Sequence, residues 1–217
     1  VLEAKRMMQT NEERQALAQQ SGWRFREQAP ELTDYWRVPP FTSHGDQRIA
    51  FGVVDGQLNG VPFVAFDFHR RPKVTHVHTA WTNKEVNQLD EVKIDTVWVV
   101  KLPRPMPYFS IASSTEPELE VEHYPEPPTP DSKFNRWYKM IDTDPNVAGY
   151  YLHPQLMQFM RKQKVNTWSV VGDDLVCMEH PIFGRTKPKD LTETLGKLVQ
   201  LAGLLPYNAF PPPPPQQ

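Results

Sequence analysis

The chain has 217 residues, 39% of them hydrophobic and 11% aromatic, enough to bury one sizeable core or two small subdomains sharing an interface, which excludes intrinsic disorder for most of its length. Its 24 lysines and arginines nearly cancel its 26 aspartates and glutamates, so at a formal net charge of -2 no global field recruits nucleic acid or anionic membrane, and either would need a local patch. No run of about 18 apolar residues exists to span a bilayer and the amino end is too polar for a secretory signal, so a water-soluble chain is expected.

Asn11 is a plausible N-cap for a helix through Glu12, Glu13, Arg14, Ala16 and Leu17, which Gly22 would end in a left-handed cap. Its apolar face is thin, so it reads as a lead-in rather than a core element. Trp23 and Phe25, separated by Arg24, begin an alternating strand, and the aromatic-cation run through Arg26 is explained as well by a half-buried strand as by a nucleic-acid surface. After Val38-Pro39-Pro40, the segments Arg48 to Val54 and Val61 to Phe68 flank the turn-forming pairs Asp55-Gly56 and Asn59-Gly60, which predicts a β-hairpin. Alternation places Ile49, Phe51 and Val53 on one face of its first arm, and Val64, Phe66 and Phe68 on one face of its second.

Ile94 to Leu102 is apolar on both faces at Val97, Trp98, Val99 and Val100, as a central strand covered on both sides would be. Pro103, Pro105 and Pro107 should stop it, because proline cannot donate to a ladder, and Tyr108 to Ala112 can resume as a short strand. Between Thr115 and Asp131, glutamates at 116, 118, 120, 122 and 126 alternate with prolines at 117, 125, 127, 128 and 130, the pattern of an acidic, extended surface loop or of a docking segment for a basic or proline-reading partner. Phe134 to Ile141, with Trp137 and Tyr138, reads as a strand.

Pro154 suits the first position of a helix that presents Leu156, Phe159 and Met160 on one face. Thr167 to Val171 and Leu175 to Met178 predict a second hairpin around Gly172-Asp173-Asp174. Asp190 with Glu193 resembles a capping box for a last helix striped by Leu191, Leu195, Leu198, Ala202 and Leu205 and ended by Pro206. The tail from Pro211 to Pro215 suits a solvent-exposed polyproline II segment or disorder. Order of elements then gives an α+β fold, a predominantly antiparallel sheet or two with β-hairpins and two packed helices toward the C-terminus. The domain reading is a lead-in helix or linker over 1–22, one α+β domain over 23–206 that divides, if at all, near 115–131, and a proline-rich tail over 207–217.

Candidate chemistry is sparse. Cys177 lies in the apolar run from Leu175 to Met178 and reads as a small buried hydrophobe, which favours a reducing compartment. His76 and His78 have the spacing that puts two imidazoles on one strand face, with His69 near in sequence, but nothing forces a third ligand such as Asp67 or His44 to converge. No nucleophile elbow, phosphate loop or dinucleotide fingerprint is present, and Asp142, Asp144, Asp173 and Asp174 are explained by turn chemistry. No catalytic residue, metal or cofactor is assigned. The suggestive cluster is Arg70, Arg71 and Lys73 with His76, His78 and Lys84, which could meet a phosphate, a lipid headgroup or an acidic peptide, or simply keep a sheet edge soluble.

Ser21-Gly22-Trp23-Arg24-Phe25, Pro40-Phe41, Phe66-Asp67-Phe68, Phe134-Asn135-Arg136 and Leu152-His153-Pro154-Gln155-Leu156-Met157 resemble stretches of uncharacterised actinobacterial proteins in which a membrane segment and short linker precede a soluble α+β domain. Val1 in place of an initiator methionine fits an excised or processed piece of such a protein. The resemblance implies no catalytic residue. The expected function is a non-enzymatic interaction or scaffold module, cytoplasmic or held at the inner face of the cell membrane, with a protein partner, with anionic lipid as a further candidate, and with nucleic acid disfavoured. The alternative is an enzyme of unrecognised type acting on a small anionic substrate.

Overall fold

The computed structural model describes residues 2–42, 46–71, 77–78, 85–86, 93–116, 123–181 and 184–211, and all contacts below concern these. Helix α1 (Leu2–Ser21) leads into β1 (Arg24–Gln28), a 3-10 turn (Pro30–Leu32), β2 (Asp46–Leu58) and β3 (Val61–Arg71). The short β4 (Val77–His78) and β5 (Glu85–Val86) pair with each other, and β6 (Lys93–Ser113) follows. Then come α2 (Ser132–Trp137), β7 (Tyr138–Met140), α3 (Pro145–Tyr151), α4 (Pro154–Gln163), β8 (Trp168–Glu179) and α5 (Pro188–Gly203). The main sheet has six strands in the order β1-β2-β3-β6-β7, with β8 also on β6, and every pairing is antiparallel. The fold is α+β, as the order of hairpins and helices predicts.

The first hairpin turns at Asn59-Gly60, both in the left-handed region, while β2 runs on through Asp55-Gly56, where Asp55 pairs with Val64. Ile49, Phe51 and Val53 do not share a face. A register shift between Phe51 and Val54, at Gly52 with φ +58, turns Val53 into the core on the opposite side of the sheet. Strand β6 extends to Ser113 but doubles back where its prolines fall: Pro103 and Pro105 lie between Lys101 and Met106, where the ladder to β8 is interrupted and no donor is needed, and Tyr108 to Ala112 resumes the pairing, as expected. The second hairpin is present inside β8: Met178 N–H donates to Thr167 O at 3.2 Å, so the segment doubles back around Gly172.

Four other boundaries differ from expectation. Asn11 lies inside α1, which starts at Leu2. Residues Ser132 to Trp137 are helical rather than extended, because the Asp131 carboxylate accepts from Lys133 N–H and Phe134 N–H and so caps a turn of helix. Helix α3 sits where no helix is expected, capped by Asp144 with Pro145 at its first turn. Helix α5 opens at Pro188, leaving Asp190 in its first turn rather than at the cap.

Each face of the sheet carries a core. On one face Trp98, Phe109, Trp168 and Leu175 pack with Ala18 of α1, Tyr151 of α3, Leu156 and Met160 of α4, and Leu191, Leu195, Leu198, Ala202 and Leu205 at or near α5. On the other, Phe66, Phe68, Val97 and Val99 are covered by Ala29, Trp36, Val38 and Phe41 from the β1–β2 connection, with Trp36 Nε1–H donating to Asp174 Oδ2 at 2.9 Å. Cover on both sides makes β6 the central strand that its unbroken apolar run predicts.

Candidate functional site

Two polar centres interrupt these cores, one on each face, and both use charges that interrupt otherwise apolar strands. On the helical face, β3 places Asp67 opposite Thr96 of β6. Arg14 reaches it from α1, with Nη2 2.8 Å from Asp67 Oδ1, and also donates to Gly52 O at 2.8 Å and Thr186 O at 3.0 Å. Arg185 Nε bonds the other carboxylate oxygen and its guanidinium stacks 4.7 Å from the Phe51 ring centroid. Thr96 Oγ1 donates to Asp67 at 2.9 Å and meets Thr186 Oγ1 at 2.7 Å. Arg14 and Asp67 are wholly buried and Arg185 nearly so, and burial, partly offset by Asp67, lowers the Arg185 pKa. Two guanidiniums closed on one carboxylate form a clamp between α1, the sheet and the approach to α5, with the Gly52 bulge supplying the carbonyl that Arg14 needs.

On the opposite face, alternation along β3 and β6 puts Arg70 and Asp95 beside Phe68 and Val97. Arg70 Nε lies 3.5 Å from Asp95 Oδ2, and His180 turns its Nδ1 to Asp95 Oδ1 at 3.2 Å. Glu116 completes the group, accepting from Thr167 Oγ1 at 3.4 Å. Burial and then the like charge of Asp95 push the Glu116 carboxyl above its usual range, and burial lowers the Arg70 guanidinium against the pull of Asp95. Asp95 is fully buried whereas the His180 side chain is 37% exposed, so a carboxylate inside the protein orients an imidazole at its rim. That can bind an anion or relay a proton. Among the described residues no hydroxyl or thiol is hydrogen-bonded to His180.

This placement corrects part of the sequence reading. Arg70 is not an exposed strand-end cation: it is 2% exposed and commits its charge to Asp95 inside the protein. Arg71 ends β3 and His78 lies in β4 opposite Glu85, but their side chains, and the whole of Lys73, His76, Lys84 and His44, lie outside the described residues. His69 is half-buried opposite Ile94. Asp67 is committed to two arginines, and among the described residues no three His, Cys, Asp or Glu side chains come together to hold a metal ion. Arg24 and Arg26 both pair with Asp55, at 3.0 and 3.6 Å, and Trp23 packs edge-on against Phe63, the arrangement of a half-buried strand. Asp173 and Asp174 hold Lys101 at 2.8 and 3.0 Å. Cys177 is buried and its thiol is pushed well up by desolvation, which makes it inert.

Sequence reasoning missed Arg14, Asp95, Glu116, His180 and Arg185. The available signal was the isolated charge in an apolar strand, Asp67 between Phe66 and Phe68 and Asp95 before Thr96-Val97, since a buried charge must have a partner. A third feature is an open apolar groove of about 430 Å³ lined by Val61, Pro62, Leu102, Pro103, Val199 and Tyr207, with Lys101 at its rim.

No protein-family model matches the chain, and no curated protein matches it in sequence. Its fold is similar to the crystal structure of the mycobacterial trehalose monomycolate transport factor A, TtfA, with a TM-score of 0.62 and 15% identity over 95% of this chain and 98% of that one. At that identity the likeness is one of fold, and it places an actinobacterial protein beside this chain along nearly the full length of both. Among the described residues no helix is long and apolar enough to cross a membrane.

Proposed function

We propose that the chain is a non-enzymatic interaction module that serves a transport process at the inner face of the cell membrane by binding a protein partner, as part of a membrane-tethered protein. The observation that carries this reading is the near end-to-end correspondence of fold with a protein named as a transport factor. The interior chemistry agrees with it, because the buried charges are committed to one another, Arg14 and Arg185 to Asp67 and Arg70 to Asp95, rather than aimed into a cavity. Affinity capture of the full-length protein from its host membrane fraction tests it. Reproducible enrichment of an integral membrane transport protein over an untagged control, with loss of lipid export on deletion, is the expected result, and trehalose monomycolate is the first cargo to follow. A protein recovered alone, whose deletion leaves export unchanged, would overturn it.

One observation favours a second reading, an enzyme acting on a small anionic substrate: Asp95 orients a rim imidazole next to Arg70 and a carboxyl raised by burial. A hydrolysis screen with wild type and His180→Ala separates the two. Turnover lost in the variant supports catalysis, and none in either protein removes it.

A further inference from the structure

We propose that α2 and the C-terminal end of α4 together form a docking surface for an anionic lipid bilayer, with Trp137 as its interfacial anchor. Helix α2 buries Phe134 and turns Lys133, Arg136 and Trp137 outward. These positions, i, i+3 and i+4, share one side of a helix, so an indole and two cations form one strip. Trp137 is 61% exposed, among the most exposed large hydrophobic side chains of the protein. The end of α4 lies alongside: Arg161 bonds Asp131 at 2.7 Å and sits 5.8 Å from the Phe134 ring centroid, and Tyr138 O–H reaches Asn166 Oδ1 at 3.3 Å. Lys162 and Lys164 therefore add exposed cations at the same end of the molecule.

Charge separates this surface from the rest of a chain whose net charge is -2. Arg161 is neutralised by Asp131, whereas none of Lys133, Arg136, Lys162 and Lys164 is ion-paired among the described residues. Tryptophan prefers the headgroup level, where the ring is half desolvated and its N–H stays wet, and lysine and arginine are drawn to anionic headgroups around it. Nucleic acid fits less well. A single indole on a convex helix offers neither a groove to track a strand nor successive rings for successive bases.

The surface is independent of the partner reading above, since capture of a membrane protein would survive its removal. Co-sedimentation of the full chain with phosphatidylcholine vesicles, with and without phosphatidylglycerol, reads it directly. Wild type is expected to bind only the anionic vesicles, and less at physiological than at low salt. Each cation near such a surface contributes roughly a fivefold factor, so K133A/R136A/K162A should weaken binding on the order of a hundredfold. Trp137→Ala should weaken binding on both low- and high-salt arms alike, because its contribution is apolar. Near-UV circular dichroism checks that each variant keeps its fold, and Lys187→Ala/Lys189→Ala, which removes two exposed cations ahead of and within α5, serves as the control for charge lost elsewhere and should bind nearly as wild type does. Equal binding by wild type and the triple variant, no binding by wild type, or binding of a single-stranded oligonucleotide in place of vesicles would each overturn the proposal.

Discussion

The two polar centres differ in stoichiometry and in access to water, and that difference separates a structural lock from a group able to titrate. Around Asp67, two cations share one carboxylate with everything buried; Thr96 adds a further hydrogen bond to the carboxylate, and Arg14 also donates to the Thr186 and Gly52 carbonyls. Around Asp95, two carboxylates share one buried cation and a half-exposed imidazole. In the first, the single carboxylate is what keeps two guanidiniums from facing each other unpaired in low dielectric. The second has a spare acid, and burial has already biased Glu116 toward its neutral form.

Removing the shared carboxylate is expected to give the largest effect. Asp67→Ala leaves two buried guanidiniums facing each other, and the loss should be about 3–5 kcal/mol in urea unfolding. An unchanged midpoint would mean that the lock on the helical face carries no more stability than the open group opposite. Gly52→Ala comes next. A Cβ there would collide with Arg185 Nη2 and approach Arg14 Nη1 to 3.2 Å, and the residue would keep φ +58, a conformation that costs about 1–3 kcal/mol without glycine. Unfolding midpoints again check it, and an effect no larger than that of an alanine at exposed Gly203 would show that the bulge can relax.

The smallest effect is the pH dependence of the rim group. Glu116 has a folded pKa raised above its ordinary 4.5, so its contribution is fully present below that pH and is lost as pH rises through the raised value. Stability of wild type relative to Glu116→Gln should therefore fall as pH climbs from 4.5. Parallel pH curves for the two proteins would place Glu116 in ordinary solvent and erase the contrast between the centres.

The same contrast explains what sequence could reveal. Elements built from near neighbours were legible: the Asn59-Gly60 hairpin, the apolar β6 core, and the stripe from Leu191 to Leu205. Competing local signals caused the boundary errors, as where Trp137 and Tyr138 suggested a strand although Asp131 supplies a helix cap. Arg14 was illegible as a core residue because its partners, Asp67 and Thr186, are 53 and 172 residues away and a lone arginine on a thin helix looks solvated. The cluster of cations at the end of β3 was legible as charge, but Arg70 showed that charge in a sequence does not say which side of a strand faces water. The basic strip on α2 and α4 escaped notice because its members are split between two segments that meet only in the fold.

The clamp also has a mechanical consequence. Helix α1 is tied down in its second half, by Arg14, Leu17 and Ala18, while about 18 Å of helix lies ahead of Arg14. Arg14 alone joins three separate pieces of chain, Asp67 on β3, the Gly52 bulge of β2 and Thr186 ahead of α5, so a load carried by the helix is shared among them rather than borne by one strand.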